Sequence, residues 1–246
     1  MITLPEWLEV AIAGPFAGSL AGVLAQRLPR GEKVGWARSA CESCRTPLGP
    51  IDLVPLLSYV ALRGRCRSCR AAISWRHPAM ELAALAIGLW AASVFDGALL
   101  WASCALGWTL LALATSDLDT YLLPDTLTLP LLLAGLAVTW WFDPDALTEH
   151  ALAAALGYLS FWGIAKGYRY LRGRDGLGMG DAKLLAAAGA WLGVAALPNV
   201  VLIAAISGLL AAGVMAARGQ RVSAQLRLPF GPALALATWI TWLYLL

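Results

Sequence analysis

Charge is scarce in this sequence. Lys and Arg (18) and Asp and Glu (15) make up 13% of its 246 residues, and 60% are hydrophobic; an ordinary soluble domain carries about 25% charged residues. The few charges fall in blocks with apolar tracts between them, which excludes an ordinary soluble domain and indicates a polytopic membrane protein. No Lys or Arg precedes Arg27, and Glu6 and Glu9 stand where a secretory signal would carry basic residues. The first apolar run therefore reads as a retained helix, with cleavage near Ala17 or Ala21 as the alternative. Cations are also missing from two further loops, one holding Asp96 and the other Asp143, Asp145 and Glu149.

A spanning helix needs about 20 mostly apolar residues. Runs near 5–26, 79–95, 98–115, 126–142, 148–166, 182–197, 199–217 and 229–246 predict about eight spans, the sixth and seventh nearly touching at Pro198. Their Gly- and Ala-rich texture ("AAAGAWLG", "AISGLLAAG") suits close helix packing in lipid. Nine Lys and Arg lie in residues 28–77. Lys166, Arg169, Arg172, Arg174 and Lys183 flank the fifth loop, and Arg218, Arg221 and Arg227 fill the seventh. Basic loops stay cytoplasmic, so the first, fifth and seventh are inside and both termini outside. The acidic third loop is placed inside by parity. The net charge of +3 is thus a topology signal, and no nucleic-acid partner is expected.

Residues 28–77 are the one sizeable polar segment. "CESC" and "CRSC" give C-x2-C-x21-C-x2-C through Cys41, Cys44, Cys66 and Cys69. Paired knuckles of this kind supply four thiolates to tetrahedral zinc. A reducing cytoplasm disfavours disulfides there, and a segment this small needs a staple to hold a fold; a redox pair or an unmetallated thiol cluster is the alternative. Cys104, within a span, reads as a buried apolar residue. Between the knuckles, "DLVPLLSYVALRGR" is apolar and then basic, a pattern suited to a membrane surface. The expected division is a first transmembrane helix at 1–27, a cytoplasmic four-cysteine zinc-binding domain at 28–77, and a membrane domain of about seven helices at 78–246.

"ATSDLDTYLLPDTLTLP" (114–130) holds Asp117, Asp119 and Asp125 without a basic residue. Asp125 is suited to cap the next helix, Asp119 to face solvent, and Asp117 to sit at membrane depth. "DGLGMGDAKLL" (175–185) sets Asp181 and Lys183 behind Gly176, Gly178 and Gly180, immediately before an apolar run. Those glycines permit unusual backbone angles or close approach of another segment. Acids at a bilayer are costly and default to a functional role. Two that share a site divide one proton between them, so one acts as base while the other stays protonated. Such a pair suits hydrolysis of an amide by activated water; it equally suits cation binding or proton relay.

The order of the motifs resembles the bacterial prepilin peptidases (type IV leader peptidases), the GxGD-type membrane aspartic proteases of type IV pilus and type II secretion systems. The resemblance runs from "GSLAGVLAQRLPR" through the two knuckles around "VPLLSY" and "LRGRCRSC", then "ISWRHPAMEL", "SDLDTYLLPDTLTLP", "GMGDAKLLAAAGAWLG" and "LPFGPALALA". It implies an all-α membrane protein of the bacterial inner membrane with Asp117 and Asp181 as the catalytic pair. It places Gly178 and Gly180 in the approach to the site, and has Lys183 fix the loop or tune a carboxylate. It also implies zinc on the four cysteines, and removal of a short basic leader from prepilins or pseudopilins, after a glycine, at the cytoplasmic face. S-adenosylmethionine-dependent N-methylation of the newly exposed residue, commonly phenylalanine, is implied by resemblance alone, since no nucleotide-binding fingerprint is visible. Membrane lipids are the other expected partners. A carrier using the two acids as cation ligands and a non-enzymatic scaffold docking partners on the zinc loop are the competing readings.

Overall fold

Almost every apolar run folds as a helix. The computed structural model describes residues 4–32, 34, 39–173, 176–219 and 228–244; Arg174, Arg221 and Arg227 of the basic loops, and Asp175, lie outside the described residues. Among the described residues there are nine α-helices: α1 (Glu6–Arg27), α2 (Leu57–Ala61), α3 (Arg76–Ala92), α4 (Gly97–Thr120), α5 (Asp125–Phe142), α6 (Leu147–Arg172), α7 (Met179–Leu192), α8 (Leu197–Ala217) and α9 (Gly231–Tyr244). The only β pairings described are two isolated bridges. The chain divides into two compact units, one running to Ala112 and the other from Leu113 onward.

In the first unit, α1 and α3 meet backbone to backbone. Gly14 and Gly18, four residues apart, lie on one face of α1. A Cβ on Gly18 would fall 2.4 Å from the Met80 carbonyl oxygen, and one on Gly14 would fall 2.9 Å from Leu85 Cα. This is the small-residue packing that lipid favours, where no hydrophobic force drives helices together. Trp7, Ile12, Phe16 and Leu20 stay exposed on the rest of α1, the surface a bilayer covers.

Four helical stretches, Glu6–Arg30, Gly97–Thr120, Asp125–Phe142 and Leu197–Ala217, are long and apolar enough to cross a membrane. The other four predicted runs are helical as well, but α3 is 17 residues long, and α7 and α9 are 14 each. At about 1.5 Å per residue, 14 residues reach about 21 Å, short of a hydrocarbon core of about 30 Å. α6 is 26 residues long and ends on Arg169 and Arg172.

For α7 the shortness follows from its position: 11 of its 14 residues are buried. It is enclosed by α5, α6 and α9 in the second unit, so its surroundings are protein rather than lipid. Glycines make the enclosure tight. A Cβ on Gly189 would lie 2.5 Å from the Ala153 carbonyl oxygen, and one on Gly157 would lie 2.7 Å from that of Leu185. The Trp191 indole N–H donates to Leu131 O at 2.8 Å, and its ring meets Trp242 edge-on with centroids 5.3 Å apart. At its far end α7 stops at Gly193, whose φ of +78° suits glycine. There Val194 N–H donates to Glu149 Oε1 at 2.5 Å, and His150 Nδ1 lies 3.0 Å from Ala190 O. α7 and α8 are separated by residues 193–196, and Pro198 belongs to α8. It stands in the first turn of α8, where a missing N–H costs nothing.

Candidate active site

Asp117 sits in the last turn of α4, in the second unit. The chain turns immediately after it: Tyr121 takes φ +56° and donates its N–H to Asp117 O at 2.9 Å, while the Ser116 hydroxyl donates to Leu122 O at 2.7 Å. The turn leaves Asp117 only 5% exposed. Asp119, two residues on, is exposed, as its expected solvation requires.

Asp125 is the first residue of α5, following the N-cap Pro124, and is not itself the cap. Its Oδ1 instead meets Lys183 Nζ at 2.5 Å. The expected helix cap is thus replaced by an ion pair that ties the start of α5 to the first turn of α7. With side-chain exposures of 55% and 30%, the pair positions more than it stabilises, since exposed ion pairs contribute about 0–1 kcal/mol.

Asp181 is the third residue of α7 and is 8% exposed. Its Oδ2 accepts the Gly178 N–H at 3.3 Å, so the acid both closes the helix start and stays inside. Gly178 has φ −74° and Gly180 is helical; close approach is what these glycines provide. A Cβ on Gly180 would stand 2.9 Å from Leu123 Cβ, and one on Gly176 2.5 Å from the Tyr168 ring. Gly180 thereby lets the α7 start lie against the α4–α5 connection that follows Asp117. The start of α7, with Asp181, is thus set beside the connection that follows Asp117.

A third element enters from the far end of the sequence. Gly231, first residue of α9, donates its N–H to Asp117 Oδ2 at 2.8 Å. A Cβ there would lie 2.7 Å from that same oxygen. Sequence reasoning did not single out Gly231; its one signal is the small residue between Phe230 and Pro232 in "LPFGP". Two buried acids, each held by a backbone N–H and brought together from three helix ends, form an arrangement suited to sharing one proton.

The four cysteines gather in the first unit. Cys41, Cys44, Cys66 and Cys69 bring all four Sγ atoms within 4.8 Å of one another. Cys41–Cys69 is 3.8 Å and Cys44–Cys66 is 4.0 Å. A tetrahedron of thiolates at about 2.3 Å from zinc has S–S edges of about 3.8 Å, so the cluster fits that ion. The two knuckles share one local design. The amide after each knuckle (Arg45, Arg70) returns to the carbonyl of its first cysteine, and both arginines take a left-handed φ, +59° and +62°. The bridges Ala40–Pro47 and Arg65–Ala72 close the two hairpins. Between them Ile51, Leu57 and Val60 are exposed.

Two family models match the chain. A family model described as the bacterial peptidase A24 N-terminal domain matches residues 12–95, and one described as the type IV leader peptidase family matches residues 104–213. A Burkholderia pseudomallei (strain K96243) protein named prepilin leader peptidase/N-methyltransferase is 42% identical over 94% of this chain and 84% of its own length. Proteins of the same name from Aeromonas hydrophila and Pseudomonas aeruginosa are 42% and 35% identical. They cover 84% and 95% of this chain, and 71% and 88% of their own lengths. No solved structure matches the chain.

Proposed function

The chain belongs to the type IV leader peptidase family, and from that premise we propose that it is an inner-membrane prepilin peptidase with Asp117 and Asp181 as its catalytic pair. It cleaves the short basic leader of prepilins or pseudopilins after a glycine, at the cytoplasmic face. One carboxylate takes a proton from water as the oxygen attacks the scissile carbonyl carbon, while the other, protonated, polarises that carbonyl. The tetrahedral species then collapses, the C–N bond breaks, and the leaving nitrogen takes up a proton from the pair. Gly178 and Gly180 permit the approach, and Lys183 fixes the start of α7 through Asp125. The observation that carries this reading is the convergence of two nearly buried acids, one fixed by Gly231, in a unit enclosed by apolar helices.

The second activity is N-methylation of the newly exposed residue. S-adenosylmethionine, when bound, supplies an electrophilic methyl group on sulfonium.

Residues 28–77 act as a zinc-binding cytoplasmic domain. Its exposed Ile51, Leu57 and Val60, beside Arg63, rest on the anionic lipid surface. Cys66→Ser is expected to lower bound zinc from about one ion per chain to near zero and to open residues 39–75 to limited proteolysis, because structural zinc contributes folding energy directly. Zinc retained at one per chain would place the metal elsewhere.

The direct test combines purified protein, a synthetic prepilin and mass spectrometry. Expected products are the released leader and a mature chain heavier by one methyl group when S-adenosylmethionine is present. An intact prepilin would remove the peptidase reading, and a cleaved but unmethylated one would remove only the second activity.

A further inference from the structure

Within the first unit, a cavity of about 340 Å³ lies between the cysteine knuckles and the neighbouring ends of α1 and α3. That size falls in the range of small-molecule sites, about 300–1,000 Å³. One of its walls is Glu81, a carboxylate 7% exposed in the second turn of a helix. A nearly buried carboxylate is costly unless it is paired or hydrogen-bonded, and the hydrolytic site in the second unit makes no use of it.

Its setting is built rather than incidental. Glu81 Oε2 accepts the Leu56 N–H at 2.7 Å, and Leu56 delivers that N–H from φ +60°, ψ −52°, a conformation a branched side chain seldom adopts. Nearby, the Tyr59 ring rests on Gly64, where a Cβ would stand 3.0 Å from the tyrosine Cζ and Oη. Gly64 holds φ +66°, so only glycine gives this ring its seat. Asp52 is fixed by Arg67 Nε at 2.7 Å and by the Gly49 N–H at 3.3 Å. The Arg67 guanidinium keeps its carboxyl below the ordinary range. Arg27 and Ser19 of α1 also line the cavity.

We propose that this cavity binds S-adenosylmethionine, with Glu81 and the Tyr59 ring as its principal contacts. The inference rests on the methyltransferase reading above and supplies the location that reading lacks. The donor is a cation at sulfur, a zwitterion at its amino-acid end, and an adenosine with a ribose diol. A fixed, desolvated carboxylate complements the sulfonium or the diol. An immobilised aromatic face stacks adenine or attracts the sulfonium. Arg27 complements the amino-acid carboxylate. Cys41 and Cys66 border the same cavity, so the zinc-ordered knuckles form one of its walls, and no Gly-rich nucleotide motif is required. A basic leader peptide is the competing occupant, because Glu81 and Asp52 also suit lysine.

Two measurements on the full-length enzyme in detergent test the proposal. Calorimetric titration with S-adenosylmethionine compares wild type with Glu81→Gln, Tyr59→Phe and Tyr59→Ala; zinc content and elution volume confirm that each variant is folded. Kd should rise at least tenfold in Glu81→Gln and Tyr59→Ala and stay within about threefold in Tyr59→Phe. Hydrogen exchange on the wild type, which needs no variant, should show residues 52–64 and the first turns of α3 protected by the cofactor. Tight wild-type binding with unchanged variant affinities and no protection there would put the donor elsewhere and overturn the proposal while leaving the methyltransferase reading intact. Wild-type enzyme that cleaves prepilin but binds no S-adenosylmethionine would overturn both. Loss of affinity for a synthetic leader peptide, rather than for S-adenosylmethionine, in Glu81→Gln would assign the cavity to the substrate.

Discussion

Asp117→Asn and Asp181→Asn should each lower the rate of prepilin cleavage by about 10³-fold or more, while Asp119→Asn stays within a few-fold of wild type. A positioned general acid or base contributes about 10²–10⁴-fold, and an amide in place of either carboxylate can neither accept the proton of water nor hold the shared one. Asp119 is the internal control: it lies in the same stretch, is exposed, and differs from Asp117 in position by only two residues. Folding should survive both substitutions, since Asn retains an oxygen for the N–H of Gly231 or Gly178. Gel-shift and mass assays at limiting substrate, with thermal unfolding in parallel, measure the effect. Cleavage retained in both variants would mean that the reaction runs on other groups.

The second large effect is expected at a residue with no ionisable group. Gly231→Ala would place a methyl carbon 2.7 Å from Asp117 Oδ2 and 3.0 Å from its Cγ, distances that non-bonded atoms do not tolerate. Either the carboxylate swings away or the start of α9 retreats, and both break the 2.8 Å hydrogen bond that holds the acid. A displacement of about 1 Å at a reacting group costs about 10²-fold, so kcat should fall by about that factor. KM should change little, because the substitution disturbs the orientation of the acid alone. S-adenosylmethionine affinity should stay at the wild-type value, because the cofactor site proposed above lies in the other unit. A variant cleaving within threefold of wild type would show that Asp117 is oriented by other contacts.

Much of this was legible in the sequence, and the limits have physical causes. The cysteine spacing reports a local hairpin geometry repeated twice, so Cys41, Cys44, Cys66 and Cys69 could be grouped before any fold was known. Asp117 and Asp181 stand out because charge beside an apolar run is expensive wherever it occurs. Partnerships over long sequence separations leave no such trace. Asp125 reads as a helix cap because its neighbours have cap-like chemistry, yet Lys183, 58 positions away, takes its carboxylate. Gly231 lies 114 positions from the acid it serves, and a lone glycine before a proline resembles any helix entrance. Hydropathy also cannot separate a helix wrapped in lipid from one wrapped in other helices, so the burial of α7 leaves no mark in the sequence.

That enclosure has a bearing on how the protein meets membranes of differing thickness. A helix facing acyl chains answers hydrophobic mismatch by tilting or by drawing the bilayer to its own length. α8, with Leu202, Ile206, Leu209 and Leu210 exposed, is open to that adjustment. α7 is coupled to its neighbours by carbonyl–glycine contacts on one side and the Trp191 indole on another, and presents almost no surface to lipid. The acid at its head is therefore referenced to the protein interior rather than to the bilayer.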